Sequence, residues 1–518
     1  MQRKVLVAGV FVLAMTIAMG PTGALGRGPK PTPKCAAAAP EVSWSEPTFI
    51  DRHRAGGEPV SVVAQDGSIN VSAHAGTTHI YKNPDALPGV RDFLWGYTNQ
   101  TLNWRSTDGG ETWTYTGLAG TQQGPHSILS TGFSDPDYAI DQAGNLYNVE
   151  IDLANDAVYK STDDGQSWPI ANPIVAPGDR PWVTALEENE VFLYVNSLPK
   201  SMQRTTDPNM LNWERLPEPP VTSKSVPDPL NPDNGMIGPI ELGEFAISGD
   251  DAHTWETYRF GPEGEEGGRN ILGKATQFFG VVAADNAGNV YQAAAGGYEG
   301  SDDTTPDGEV TFTYYERATG RTNQQRINIP MPEGDALWPW IIAGDEGRAA
   351  VVWYQNLAGD PDKFYIFAAV THNATGKVEC VNGATKLEPP KWTVSNVSGR
   401  PVHLGKICLS GTTCNANPSF EAGDRRLGDF FTVNYDLNGN LIIASGDTTL
   451  PGNFTDLAAA VTGDEEEDEE GEEEEEGEGK KPVGNPIFIR QTGGDLLLEE
   501  PIEPRETRPL SSPLPFQP

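Results

Sequence analysis

A short phrase recurs along the chain and limits what it can fold into. Ser106 to Trp113 reads STDGGETW, Ser161 to Trp168 reads STDDGQSW, Ser248 to Trp255 reads SGDDAHTW, and Thr205 to Trp213 carries a longer variant, TTDPNMLNW. The steps between these tryptophans are 55, 45 and 42 residues. A spacing of that size is what blade-type repeats show. The phrase itself spells a hairpin tip. Its Asp carboxylate can accept backbone N–H bonds at the head of a tight turn. A Gly two residues on supplies positive φ at no steric cost, the hydroxyl two residues before Asp braces the turn, and Trp opens the returning strand. These carboxylates are therefore expected to staple the fold rather than to catalyse or to bind metal.

A second repeat lies upstream of each hairpin. It reads VVAQDGSINVS (62–72), YAIDQAGNLYNV (138–149), VVAADNAGNVYQA (281–293), IIAGDEGRAAVVW (341–353) and FTVNYDLNGNLIIA (431–444), with WVTALEENEVFLYV (182–195) as a variant. Each is an apolar strand, an Asp-x-x-Gly-type turn and a second apolar strand, which spells an antiparallel hairpin. An inner and an outer hairpin make a four-stranded unit. Units fall at 58–115, 134–170, 180–216, 276–330, 337–395 and 428–490, with a degenerate one at 235–258. The fold class is thus all-β, a six- or seven-bladed β-propeller of four-stranded antiparallel blades. Gly 57 and Pro 43 among 518 residues agree with so turn-rich a chain. Closure is expected where a strand near 486–490 meets an N-terminal strand near 47–52, because a ring otherwise leaves open edges.

The ends read differently. Arg3 and Lys4, the apolar run Val5 to Met19 and the small residues of Ala24-Leu25-Gly26 spell a cleaved signal peptide over 1–26. This predicts a secreted or periplasmic protein. Residues 27–44 read as a linker, 45–495 as the propeller and 496–518 as a proline-rich tail. Four cysteines in an exported chain allow disulfides, and Cys408 with Cys414 is the favoured pair. A net charge of −37 argues against a nucleic-acid partner and against anionic membrane surfaces. No later segment is apolar for long enough to span a bilayer. Residues 464–478 carry 13 acidic side chains, which repel one another, so a disordered acidic loop is expected over 462–482. No cofactor is expected, and no metal: His74 and His79 flank a loop in the first unit without further ligands. The protein is expected to act as a monomer.

The motifs and the strand pattern resemble the Asp-box (bacterial neuraminidase repeat) propellers of the sialidase superfamily, over roughly residues 45–495. The resemblance implies a propeller whose boxes lie at the periphery, away from the catalytic centre. It also implies an exported sialidase-like protein of the exo-alpha-sialidase type, a glycoside hydrolase acting on or binding glycans. The alternative is a non-catalytic propeller that binds a glycan or a protein at its central mouth, since such folds host both. Sialidase chemistry would require three convergent arginines, a Tyr nucleophile backed by Glu, and an Asp acid/base. The family's Arg-Ile-Pro element is missing here. Arg180, Arg425 and Arg426 are candidates for the arginines. Tyr315-Glu316 is adjacent in a strand, which points the two side chains to opposite faces.

Ligands sit where the innermost strands begin. The residues there are Glu58-Pro59, Asp135-Pro136-Asp137, Arg180-Pro181-Trp182, Gln277-Phe278, Trp338-Pro339-Trp340 and Gly428-Asp429-Phe430. Proline is tolerable at a strand start. Radial symmetry should carry the candidate site residues Glu58, Asp135, Arg180 and Asp429 to one rim, a mixed set suited to a sugar acid.

Overall fold

A computed structural model describes residues 37–52, 56–74, 101–118, 134–151, 155–262, 272, 279–296, 309–380, 384–409, 425–449 and 484–505. These residues form a seven-bladed propeller of antiparallel sheets. Blade 1 holds the strands Gly57–Val63, Ile69–His74, Thr101–Ser106 and Thr114–Leu118, and blade 2 holds Ser134–Ile140, Leu146–Ile151, Asp156–Ser161 and Ile170–Ala176. Blade 3 runs from Trp182–Ala185 to Glu214–Arg215, blade 4 from Val226–Pro227 to Glu256–Arg259, and blade 5 from Val282–Ala284 to Arg321–Thr322. Blade 6 runs from Ala336–Ala343 to Thr393–Asn396. The degenerate unit is a full blade, blade 4, which decides between six and seven.

Blade 7 closes the ring. Its inner strands are Thr432–Tyr435, Leu441–Asp447 and Asn485–Gly494, and its outer strand is Val42–Trp44 from the other end of the chain. Thr48–Phe49 also pairs with Asn485–Gly494, Thr48 opposite Phe488 and Phe49 opposite Ile487. The last residues of the stretch read as a linker, 42–44, are therefore part of the ring. The first strands of successive blades lie side by side around the whole circle. Covered on both faces by neighbouring blades, the inner strands are apolar throughout: Val191–Val195 (VFLYV) is wholly buried. The outer strands are not, and Glu214–Arg215 is exposed.

The first hairpin of six blades is built to one plan. Five residues separate the last paired positions, as between Val63 and Ile69, Ile140 and Leu146, or Ala185 and Val191. The fourth of the five has positive φ in each: Gly67, Gly144, Gly288, Gly347, Gly439 and, in blade 3, Asn189. Glycine meets that demand without strain, and Asn is among the residues that tolerate it.

Turns of neighbouring blades are joined on this face, by Gln142 N–H to Leu186 O at 2.9 Å and Asn286 N–H to Gly344 O at 2.8 Å. Between blades 6 and 7 the join is made by the segment read as a tail. Asp345 N–H donates to Leu497 O, and Leu497 N–H donates to Gly439 O. The strap continues through Ile502 N–H to Leu437 O and Arg505 N–H to Gln65 O, reaching blade 1. Leu497 and Leu498 are buried beneath it. Cys380 and Cys408 are each in a disulfide. Cys35 and Cys414, the signal-peptide stretch, His79 and the acidic loop lie outside the described residues. Among the described residues no helix is long and apolar enough to cross a membrane.

Candidate functional site

The hairpin-tip phrases sit between the third and fourth strands of blades 1 to 4, on the face opposite the mouth. In the second, Asp163 Oδ1 accepts the Ser161 hydroxyl at 2.7 Å and Ser167 N–H at 2.9 Å, Oδ2 accepts the Ser167 hydroxyl at 2.6 Å, and Ser161 Oγ accepts Gly165 N–H at 2.9 Å. Ser106/Asp108/Thr112 and Ser248/Asp250/Thr254 repeat the pattern. Burial pushes the Asp108 carboxyl up, but the Thr112 hydroxyl and N–H outweigh it and bring it down to about 2. These groups spend their hydrogen-bonding capacity on the turn.

The mouth is built from the residues just before the first strands. Glu58, Asp135, Arg180 and Trp338 share φ between 49° and 52°, and each precedes a proline. In blades 1, 2 and 6 the register shifts across these positions, a bulge that admits the proline. Counted back from the conserved-length turn, the blade 7 counterpart of this position is Phe430. Asp429 lies one residue earlier, in the place of Asp179, so the shared rim is reached from two adjacent positions rather than one.

Three of the four candidates nevertheless meet. Glu58 is fully buried. Its Oε1 accepts Asp429 N–H at 2.8 Å, its Oε2 accepts Asp135 N–H at 3.2 Å, and His74 Nε2 lies 3.1 Å from Oε2. A side-chain hydrogen bond joins the Glu58 and Asp135 carboxyls. Burial, then the Asp429 charge, push Glu58 up to about 7 against the pull of Arg425. Burial, then Glu58, Asp179 and Asp429, hold Asp135 well above the usual carboxylate range. The pair therefore holds a proton near neutrality.

Arg425 grips both Asp429 oxygens in a two-pronged bond, and both side chains are largely enclosed. Burial alone would favour loss of the Arg425 proton, but Asp429, Glu58 and Asp135 hold it in place. Arg180 stands apart from this knot, its Nε donating to Asp179 Oδ2 at 3.2 Å with 28% of its side chain exposed. Arg426 is buried, with an N–H directed at Thr448 O.

A lysine absent from the sequence reading completes the rim. Lys224 Nζ, on the approach to blade 4, donates to Asp137 Oδ1 at 2.8 Å and Oδ2 at 2.7 Å, to Tyr138 O at 2.7 Å and to Val183 O at 3.0 Å. It lies in an irregular stretch outside every repeat, so no pattern marks it. Below the polar rim, rings from four blades fill the channel. Trp182 packs on Phe279 at 5.1 Å, Phe430 at 5.3 Å and Trp340 at 6.0 Å between centroids. Tyr315 and Glu316 are elsewhere. Tyr315 packs on Phe245 and Tyr258 of blade 4, and Glu316 pairs with Arg321 at 2.9 Å. Among the described residues no group of three or more His, Cys, Asp or Glu could hold a metal ion.

No family model matches the chain, and no curated protein matches it. Solved structures do. A protein of unknown function from Dyadobacter fermentans is 14% identical over 64% of this chain and 98% of its own, with a TM-score of 0.36. The GH74 enzyme of Niastella koreensis is 14% identical over 78% of this chain and 59% of its own, with a TM-score of 0.43. The NanB sialidase of Streptococcus pneumoniae is 9% identical over 70% of this chain and 71% of its own, with a TM-score of 0.36. At such identities the chemistry of the mouth has to be read from its own residues.

Proposed function

We propose that this is an exported propeller of the Asp-box type, directed outward by a cleaved signal peptide, that binds a neutral glycan at its mouth without hydrolysing it. The observation that carries this reading is that the rim has already spent its charges. Arg425 is committed to Asp429, Arg180 is paired with Asp179, and Arg426 is buried against a backbone carbonyl. A sugar acid would have to displace a carboxylate that is already in place. Glycosidase carboxylates work across a gap of about 5–5.5 Å or about 6.5–9.5 Å, whereas Glu58 and Asp135 are in direct hydrogen-bond contact. Asp429 is neutralised by its arginine, and the Tyr–Glu pair that sialidase chemistry needs does not occur among the described mouth residues.

The test is a hydrolysis assay on a fluorogenic sialoside, run beside an array of neutral and sialylated glycans. Binding to neutral glycans without turnover is expected. Sialoside turnover that disappears in Asp429→Asn, or selective capture of sialylated glycans that disappears in Arg180→Ala, would return the protein to the sialidase-like enzymes. Silence on every glycan, with capture of a protein instead, would leave only the binding half of the proposal.

A further inference from the structure

We propose that Glu58 and Asp135, with His74 against them, form a proton-operated clasp across the seam where the ring closes. Glu58 belongs to blade 1, yet its two oxygens hold backbone N–H groups of Asp429 on the blade 7 side and of Asp135 in blade 2. One carboxyl thus ties three consecutive blades at the mouth. The seam between blades 7 and 1 is where the chain's two ends are joined, so this is the place in the ring where a tie matters most.

The clasp has no slack. Gly428 has φ of +80°, and a Cβ there would lie 2.1 Å from Glu58 Cγ. Two carboxyls in such contact, shut off from water, coexist only while one proton lies between them. The groups facing them come from every neighbouring element. Asp429 and Arg425 lie on the approach to blade 7, Asp179 on the approach to blade 3, and His74 ends the second strand of blade 1. Of these, Arg425 is already bound to Asp429 through both prongs. Loss of the shared proton puts two like charges in contact, with Asp179 and Asp429 adding to the repulsion. The blades then relieve it by parting at the mouth.

The direction in pH follows. Burial and the neighbouring carboxylates raise both acids, Glu58 to about 7. A raised acid stabilises the fold fully below its unfolded value, and that contribution is lost as pH rises through the folded value. The clasp is therefore shut in mildly acidic solution and opens above neutrality.

Amide hydrogen exchange on the full chain tests this at the N–H groups of Asp135 and Asp429. Between about pH 6 and about pH 8.5, exchange at both should accelerate by about tenfold or more beyond intrinsic base catalysis, while amides of Ala246 and Ile247 in blade 4 keep their protection. In Asp135→Asn the side-chain amide donates to Glu58 with no proton to lose, and the acceleration should vanish. Unchanged protection in the wild type overturns the clasp, whatever the variant does. An equal pH slope in wild type and Asp135→Asn overturns it too, as does acceleration shared by blade 4.

Discussion

Lys224→Met removes the one cation that Asp137 touches and leaves a carboxylate with 4% of its side chain exposed facing apolar blades. Four contacts disappear together, two to the carboxylate and one each to Tyr138 O and Val183 O. Breaking a buried pair on one side costs roughly 3–5 kcal/mol, and a lost hydrogen bond about 1 kcal/mol. The lysine side chain is 19% exposed, so water can reach part of the vacated site, and Val183 N–H still donates to Asp137 Oδ2 at 2.9 Å. The expected net loss is about 3 kcal/mol. It should be read from the midpoint of urea unfolding by tryptophan fluorescence, with the slope unchanged. Burial already raises the Asp137 pKa against the pull of Lys224. Without the lysine it rises further, so the loss should be largest at neutral pH and shrink as pH falls and the carboxyl takes up a proton. Asp137→Asn in the Lys224→Met background should recover about half of the loss by removing the stranded charge. A single-variant loss below about 1 kcal/mol, or no recovery in the double variant, would show that the pair is not the tie described.

Gly428→Ala must adopt a left-handed backbone and displace Glu58, so thermal unfolding should report a loss of about 2–3 kcal/mol. Asp163→Ala strips three hydrogen bonds from a buried turn; a loss of about 2–3 kcal/mol is expected with glycan binding intact, and full stability with lost binding would contradict the structural role of the turn. Asp108 titrates at about 2, below its ordinary 3.8, so its stabilising bonds should be complete above 3.8 and disappear as pH falls through about 2, measurable by Asp108→Asn against wild type in acid. Truncation after Asp495 exposes the sites of Leu497 and Leu498; once the chain entropy regained is set against that burial, a loss of about 2 kcal/mol should appear in the melting temperature.

The ring was legible because its repeats are local. A five-residue turn and a Ser-x-Asp tip are decided by residues that touch their own neighbours, so spacing alone revealed them. Blade 4 was harder, since its first strand is only Val226–Pro227 and its first turn lacks the common form. At the mouth, position in the repeat brought Glu58 and Asp135 to one place, but hydrogen-bond partners come from other blades and leave no mark in the local pattern. Asp429 shows the limit: one residue out of register with Arg180, it reaches the rim because Arg425 and Glu58 hold it there. Lys224 sits in an irregular approach whose path is set by the blades on either side. The strap was hidden by its prolines and glutamates, although Leu496-Leu497-Leu498 ahead of them was a usable sign of burial.

The closing of blade 7 also sets an order of events. Ser45 Oγ accepts from Arg490 N–H across a separation of 445 residues, which joins nearly the first and the last parts of the ring to be synthesised. Bringing such distant segments together costs about 5 kcal/mol of loop-closure entropy by the logarithmic rule. Blades 1 to 6 can form as they emerge, but Val42–Trp44 has no partner until Asn485–Gly494 arrives, and Leu441–Asp447 waits with an open edge. The vulnerable species is thus a nearly complete chain with one unfinished sheet, which is the form most prone to pair with a copy of itself. A circular permutant that places 42–49 directly after 485–494 would turn the longest-range pairing into a local one. It should refold faster and aggregate less at equal final stability.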